Sequence, residues 1–207
     1  YLFNKDLSKV FLTLCLGSSN KNNFEYLKQF QDNDLNEVSD IFKEKIEEYK
    51  LTLDKFGVNL DKFNDIFIAE MGAYVKGEIA RLCKLVKPKY GIITTIGTAH
   101  LESFGSEENI VSGKFELIES LPADGFAVLN GDDPKQVNYK LKNNCKIIWI
   151  GIENKDADVL AKNIKTSNSG TTFDVVFKND KKKYTFTTKL LGYANIYNIL
   201  ASLALAK

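Results

Sequence analysis

Three residues in the middle of this sequence combine the side-chain types that a metal-nucleotide centre uses. Glu70 ends one apolar run, His100 follows another and is the only histidine of the chain, and Lys114 lies in a helical pattern. A carboxylate at the carboxyl end of a parallel strand occupies the edge where α/β sheets place their ligands. Taken singly, each residue also has a plain interpretation: a solvated acid, a structural histidine and a surface lysine. These three residues are the first candidates for chemistry, provided that the surrounding elements bring them together.

A second candidate segment lies upstream, between an apolar run and a polar stretch. Residues 16–23 have the sequence LGSSNKNN, which includes Gly17, Ser18 and Lys21. Backbone amides at the start of a helix, together with a lysine, favour bound anions, so this is a candidate phosphate-binding loop. An ordinary strand-to-helix loop is the alternative interpretation of the same residues.

Short apolar runs alternate with helical patterns through the first two thirds of the chain. Such runs, separated by helices, predict a parallel sheet that is covered on both faces. The predicted strands are residues 10–16, 66–71, 90–96, 126–129 and 146–150. The predicted helices are residues 75–86, 106–121, with Ser106 as the N-cap, and 195–206.

The pattern changes after Gly151. Three further strands are predicted at residues 157–164, 171–177 and 184–190, with turn sequences at 167–170 and 179–181. They indicate an antiparallel meander beside the parallel sheet. The predicted fold class is therefore α/β, with a mostly parallel sheet flanked by helices and a small antiparallel meander.

Composition limits the classes of function. The 207 residues are 44% hydrophobic and 27% charged with a net charge of +1, which is typical of a soluble domain and argues against nucleic-acid binding. The sequence has no apolar run of about 18 residues and no signal peptide, so we expect a cytoplasmic protein without a membrane span. Cys15, Cys83 and Cys145 fit neither a zinc site nor a disulfide framework, and we expect free thiols.

The stretch from Asp65 to Pro122 resembles the central, ATP-binding domain of the Mur ligases, which has a P-loop NTPase-like fold. The resemblance depends on IAEMGA at 68–73, TTIGTAHLE at 94–102 and SGKFELI at 112–118. Within the family, these motifs are most similar to those of the members that add D-Ala-D-Ala to a UDP-MurNAc-tripeptide. The resemblance implies an ATP-dependent amide ligase of peptidoglycan precursor synthesis, which activates a carboxylate as an acyl phosphate.

The resemblance also implies catalytic and metal-binding roles. Glu70 would hold one Mg²⁺ ion, and His100 would hold a second together with Lys114. Lys114 would be carboxylated by CO₂, because the resulting carbamate offers the hard oxygen ligands that Mg²⁺ prefers. Lys21 would contact the β- and γ-phosphates of ATP. Lys114 is one lysine among many, and only the match to the family distinguishes it.

The residues implied in nucleotide binding come from three segments. The segment at 130–133 is similar to the family pattern N-x-D-D, and the segment at 192–198 is similar to G-x-H-N-x-x-N. A plain Asn-Gly turn and a plain helix cap are the alternatives for these two segments. The implied nucleotide-binding residues are Gly17, Ser18, Lys21, Asn130, Asn195 and Asn198.

Some positions depart from the family pattern. Asn20 replaces a glycine of the phosphate loop, Asn22 replaces a hydroxyl residue, and Ala194 replaces a histidine. These departures leave open a non-catalytic scaffold domain with a degenerate phosphate loop. A different ligase of the superfamily, such as a folylpolyglutamate synthetase, is the other alternative.

The resemblance predicts a domain organisation as well. Residues 1–154 would form the parallel core, 155–191 the meander and 192–207 a terminal helix of one central domain. We expect the family's N-terminal UDP-substrate domain and C-terminal ligase domain to lie outside these residues, in a longer protein. UDP-MurNAc-peptide and D-Ala-D-Ala would bind through those domains, so the isolated chain would not turn over.

Overall fold

The computed structural model describes residues 12–16, 67–180 and 182–207. It divides into two compact units, one with residues 1–74 and 78–86 and one with residues 75–77 and 87–207. The candidate phosphate loop, with Gly17, Ser18 and Lys21, lies outside the described residues. Its role therefore stays a prediction.

The described residues of the first unit form two parallel strands and a helix. Strand β1 (Leu12–Leu16) pairs with β2 (Phe67–Met71), and helix α1 (Glu78–Val86) comes next. The predicted start of this helix at residue 75 is wrong, because Gly77 has a φ of 96° and the helix begins after it. The side chain of Glu78 accepts a hydrogen bond of 2.7 Å from the amide of Tyr74 at the helix start.

The second unit contains a six-stranded sheet in the order β3-β4-β5-β6-β7-β8. Neighbours from β3 to β6 are parallel, and β6-β7-β8 are antiparallel. The meander is thus continuous with the parallel sheet, because Ile150 of β5 pairs with Val159 of β6. The strands are β3 (Tyr90–Ile93), β4 (Phe126–Asn130), β5 (Lys146–Gly151), β6 (Val159–Ser167), β7 (Gly170–Phe177) and β8 (Lys183–Thr188).

In the described part of this unit, three helices lie between strands of the sheet, and a fourth follows the last strand. They are α2 (Leu101–Phe104), α3 (Glu107–Glu119), α4 (Pro134–Val137) and α5 (Tyr193–Ala206). Ser106 caps α3 as predicted, since its side chain accepts from the amide of Asn109 at 3.2 Å. Helix α5 begins two residues before the predicted start, directly after Gly192, whose φ is 91°.

The core of the second unit lies between the sheet and its longer helices. Helix α5 packs on the central strands, and α3 packs closely on β3, where Ile118 Cδ1 would stand 3.0 Å from a Cβ at Gly91. Burying each aliphatic or aromatic side chain contributes about 1.5–3 kcal/mol. The residues of the core cluster include Val128, Ile150, Val159, Phe173, Val175, Ile196, Leu200 and Ala201. The predicted α/β class, with a mostly parallel sheet flanked by helices, is confirmed.

Two further expectations concern membranes and thiols. In the described part of the chain, no helix has the length and the apolar character that a membrane crossing requires. Cys83 and Cys145 are buried free thiols, as predicted.

Candidate functional site

The exits of β3, β4 and β5 lie at the same edge of the sheet, because these strands are parallel neighbours. The segments that follow them are residues 94–100, 130–133 and 151–154. Polar side chains and backbone amides of these three segments form one hydrogen-bonded network. The network is the candidate site in the second unit.

Asn130 joins the β4 exit to the β3 exit. It is only 6% exposed, its Oδ1 accepts from the amide of Asp132 at 2.9 Å, and its Nδ2 lies 3.5 Å from the carbonyl oxygen of Thr94. Its own amide donates to Gln136 Oε1 at 2.9 Å. The residue predicted to lie near the nucleotide is therefore held in place by contacts from three neighbouring residues.

Asp133 begins the short helix α4 and also reaches the β3 exit. Its Oδ1 accepts from the amide of Lys135 at 3.0 Å. Its Oδ2 accepts from the amide of Ile96 at 3.3 Å and from Nε2 of Gln136 at 3.0 Å. One carboxylate thus fixes both the turn after β4 and the loop that leads to His100.

Asp132 links the β4 exit to the β5 exit. It accepts from three successive amides, those of Ile152, Glu153 and Asn154, and from the hydroxyl of Tyr197 on α5. Partial burial acts to raise the pKa of this carboxyl, but the four donors outweigh burial and hold the pKa below its usual range. Asp132 is therefore a charged anchor for the loop after β5.

His100 lies at the end of the loop after β3. Its backbone is in the left-handed region with a φ of 65°, which few residues other than glycine adopt. Its carbonyl oxygen accepts from the amides of Ser103 and Phe104, both at 3.0 Å, and so starts α2. The imidazole is exposed and makes no capping hydrogen bond. The backbone of His100 thus forms the turn, and its side chain caps nothing there.

Lys114 lies on α3, next to the point where α2 packs on that helix. Its neighbour Gly113 is buried beneath the ring of Phe104, and a Cβ there would stand 2.8 Å from Cε1 of that ring. Asn109 Nδ2 adds a hydrogen bond of 2.8 Å to the carbonyl oxygen of Phe104. The structure therefore places His100 and Lys114 on two elements that are packed against each other.

Glu116 is a buried carboxylate on α3 to which sequence reasoning gave no role. It is only 8% exposed, and its Oε1 accepts from the amide of Gly77 at 2.6 Å. The carboxylate lies two residues beyond Lys114 on the same helix. Its place inside the SGKFELI match was the one signal that could have identified it.

The two predicted asparagines of α5 lie in its first two turns. Asn195 is not the N-cap, which is Gly192, so the simple cap interpretation is wrong. Its Nδ2 instead donates to the carbonyl oxygen of Leu191 at 2.8 Å, and its amide donates to that of Gly192 at 3.2 Å. Asn198 is exposed. The bonds of Asn195 shape the turn that leads into α5.

Two of the three predicted metal ligands would supply the oxygen atoms that a hard divalent cation prefers. Glu70 would offer a carboxylate, Lys114 would offer two carbamate oxygens after carboxylation, and His100 would offer one nitrogen. Glu70 is exposed at the end of β2 in the first unit, whereas His100 and Lys114 belong to the second. Among the described residues, no three His, Cys, Asp or Glu side chains group as a metal site. The predicted set has only two residues of those types, since its third member, Lys114, is a lysine.

The fold and the strand-exit network define an α/β domain of the kind that binds ligands at the carboxyl ends of its strands. Residues 25–206 match the family described as Mur ligase middle domain. The chain therefore belongs to the Mur ligase family.

Curated relatives support this assignment, and their names describe more than one ligase activity. The UDP-N-acetylmuramoyl-tripeptide–D-alanyl-D-alanine ligase of Escherichia coli K12 is 31% identical over 143 residues, which cover 69% of this chain and 31% of that protein. The enzyme of the same name from Bacillus subtilis is 33% identical, with coverages of 68% and 29%. The UDP-N-acetylmuramate–L-alanine ligase of Clostridium novyi is 35% identical, with coverages of 58% and 25%.

Solved structures agree with the sequence relatives. The MurF ligase of Thermotoga maritima, in complex with ADP, has a TM-score of 0.61 and 27% identity, and the match covers 72% of this chain and 34% of that one. MurF of Acinetobacter baumannii has a TM-score of 0.60 and 25% identity, with coverages of 68% and 30%. The chain thus spans about a quarter to a third of the length of the proteins it matches.

Proposed function

We propose that this chain is the ATP- and Mg²⁺-binding part of a peptidoglycan-precursor ligase that joins D-Ala-D-Ala to a UDP-MurNAc-tripeptide. The observation that carries the proposal is the packing of Phe104 on Gly113, which holds the turn of His100 against the helix of Lys114. A histidine at the exit of a parallel strand, next to a helix that offers one particular lysine, matches the family motifs at both positions.

The candidate residues would have separate roles in phosphoryl transfer. Lys21, with Gly17 and Ser18, would hold the phosphates of ATP, and Glu70, His100 and carboxylated Lys114 would hold the metal ions. Bound Mg²⁺ would supply neutralisation of the charge on the phosphate oxygens. Positioning is the main contribution that the protein makes to this chemistry. The hydrogen bonds of Asp132 and Asp133, which fix the loops at the strand exits, would serve that purpose.

The nucleotide would lie near Asn130, Asn195 and Asn198. Support comes from the ADP in complex with the similar MurF ligase of Thermotoga maritima and from the family pattern at these positions. Asn130 has one long contact, the 3.5 Å between its Nδ2 and the carbonyl oxygen of Thr94. That amide is the group we expect to turn toward a base.

The choice of D-Ala-D-Ala as the incoming group is the finer part of the proposal. Two of the three curated relatives described carry that activity in their names, and one is named for the addition of L-alanine. Both structural neighbours described are MurF proteins. None of the relatives and neighbours described is named as a folylpolyglutamate synthetase, the other alternative.

We further propose that residues 1–207 form one central domain in a longer cytoplasmic protein. The coverage of a quarter to a third of each relative supports this proposal. UDP-MurNAc-peptide and D-Ala-D-Ala would then be bound largely by the N-terminal and C-terminal domains of that protein.

Calorimetric titration of Mg²⁺ with a non-hydrolysable ATP analogue into the full-length protein tests the nucleotide-binding part. Lys21→Ala is expected to weaken binding at least tenfold. Lys89→Ala is the matched control, because it removes an exposed lysine whose ion pair is with Asp124 at 3.0 Å. The ligase proposal is supported if Lys21→Ala loses binding of the ATP analogue and Lys89→Ala does not.

The scaffold alternative makes the opposite prediction for the same titration. Asn20, Asn22 and Ala194 favour it, since they depart from the family pattern at phosphate-loop and helix positions. If the unsubstituted full-length protein does not bind the ATP analogue, the ligase proposal is contradicted and the non-catalytic scaffold is the better explanation.

A further inference from the structure

Tyr197 makes a side-chain bond that connects two distant parts of the second unit. Its hydroxyl donates to Asp132 Oδ2 at 2.8 Å, across 65 residues of sequence. Tyr197 lies on α5, and Asp132 lies in the exit of β4. The bond therefore ties a helix to a strand exit.

Asp132 is a rigid partner for this hydroxyl. Its Oδ1 accepts from the amide of Asn154 at 2.6 Å, and its Oδ2 accepts from the amides of Ile152 and Glu153. With Tyr197 included, Oδ2 has three donors, which leaves it no capacity for a ligand hydroxyl. Asp132 is thus held in a fixed position by its four donors.

The other hydrogen bonds described at the start of α5 are local, because Asn195 bonds to the carbonyl oxygens of Leu191 and Gly192 just before it. The N-cap residue is Gly192, which has no side chain that could cap the helix and has a φ of 91°. The residues around it are exposed, with Leu191 at 52% and Tyr193 at 62%. Ile196 is buried in the core. Its apolar contacts fix the orientation of α5 less strictly than a charge-assisted hydrogen bond does.

The residues next to the two ends of this bond are the proposed nucleotide contacts. Asn195 and Asn198 flank Tyr197 in the sequence, and Asn130 lies two residues before Asp132. We infer that Tyr197 is a positioning residue for the nucleotide, which through Asp132 keeps the asparagines of α5 in register with Asn130. The inference rests on the proposed function, because it needs a nucleotide at these residues.

The substitution Tyr197→Phe removes only the hydroxyl and keeps the ring. In the full-length protein, we expect the Kd for ADP and the KM for ATP to rise about fivefold, as the loss of one directional hydrogen bond predicts. The KM for the UDP-linked substrate and kcat are expected to stay within about twofold, because no proposed contact of that substrate changes. A purely structural role would lower the melting temperature and leave the KM for ATP unchanged.

Tyr193→Phe is the matched control, since Tyr193 is an exposed tyrosine four residues earlier. It should bind ADP as the unsubstituted protein does. Asp132→Asn tests the same bond by changing its acceptor. The double variant Asp132→Asn, Tyr197→Phe should bind ADP no more weakly than the weaker-binding single variant does.

The outcomes separate this inference from the function on which it rests. If the unsubstituted protein binds ADP and Tyr197→Phe binds it equally well, the inference is overturned and the proposed function stands. If the unsubstituted protein does not bind ADP, the proposed function is overturned, and the inference with it.

Discussion

Gly113 lies so close beneath the ring of Phe104 that a Cβ at position 113 would stand 2.8 Å from Cε1. Phe104 ends the single turn of α2, which His100 starts, and Gly113 directly precedes Lys114 on α3. The absence of a side chain at one position thus allows the two elements with candidate metal ligands to pack together.

Gly113→Ala should destabilise the protein although alanine is the better helix former. The helix propensity gains about 1 kcal/mol, but overpacking against a buried ring costs about 1–3 kcal/mol. We expect a net loss of up to about 2 kcal/mol in the free energy of unfolding, measured by urea denaturation. Ser112→Ala on the same helix is the control, with a change of less than about 0.5 kcal/mol expected. A gain in stability of about 1 kcal/mol, the value of the helix propensity alone, would show that α2 does not pack on Gly113 as described.

The bond between Glu116 and Gly77 makes a separate prediction. Glu116→Ala leaves the Gly77 amide without its acceptor at 2.6 Å, which should cost about 1–3 kcal/mol of unfolding free energy. Glu116→Gln keeps an amide oxygen as acceptor and should cost less than about 1 kcal/mol. Urea denaturation of both variants measures the difference. If Gln costs as much as Ala, the charge of Glu116 matters and the hydrogen bond does not.

Gly131 lies between two groups of the strand-exit network. A Cβ there would stand 2.6 Å from Nδ2 of Asn154 and 3.3 Å from the carbonyl oxygen of Ile150. Gly131→Ala should therefore displace the side chain of Asn154, whose Nδ2 lies 3.4 Å from the Gly131 carbonyl oxygen, lower the melting temperature and weaken ADP binding. Gly97→Ala is the control, because its nearest neighbour would be 4.0 Å away, and we expect a change of less than about 0.5 kcal/mol. Normal ADP binding by Gly131→Ala would contradict the proposed nucleotide position.

The meander contains a carboxylate that should make stability depend on pH. Hydrogen bonds from Asn163 and then Thr185 lower the pKa of Asp174 from 3.8 to about 2, against the effect of burial. In this range the unfolded chain binds a proton more readily than the folded chain does. The contribution of Asp174 is therefore complete above about pH 5 and is lost as the pH falls toward about 2.

Asn163→Gly is the variant that tests this contribution. Asn163 has a φ of 53°, which glycine adopts without strain, and the change removes the Nδ2 donor 2.7 Å from Asp174. We expect the pKa of Asp174 to move up toward its usual value and the acid-induced loss of stability to begin at higher pH. Carbon NMR of the Asp174 carboxyl measures the pKa directly. An unchanged titration would show that Asn163 is not the main cause of the shift.

The regular elements were predictable from residue types, and their ends were not. The parallel strands β4 and β5 are apolar except for Asn130 and Lys146 at their ends, so a short apolar run is enough to predict them. Gly77 and Gly192 set the starts of α1 and α5 through positive φ angles, which a sequence does not display. The single turns α2 and α4 are too short to show a helical period.

The candidate site was predictable only in part for a related reason. His100 and Lys114 were found through their similarity to family motifs. Asp132 and Glu116 gain their roles from partners 65 and 39 residues away, Tyr197 and Gly77. The sequence around a residue does not show partners that are so distant, so the roles of Asp132 and Glu116 could be identified only from the structure.

The most direct test of the proposed function is a phosphate-release assay with the purified full-length protein. We expect release of phosphate from ATP only when UDP-MurNAc-tripeptide and D-Ala-D-Ala are both present, with the joined product detected by mass spectrometry. Substituting L-alanine and UDP-MurNAc should give no release. Release with that second pair alone would assign a different reaction, and no release with any amine acceptor would contradict the ligase itself.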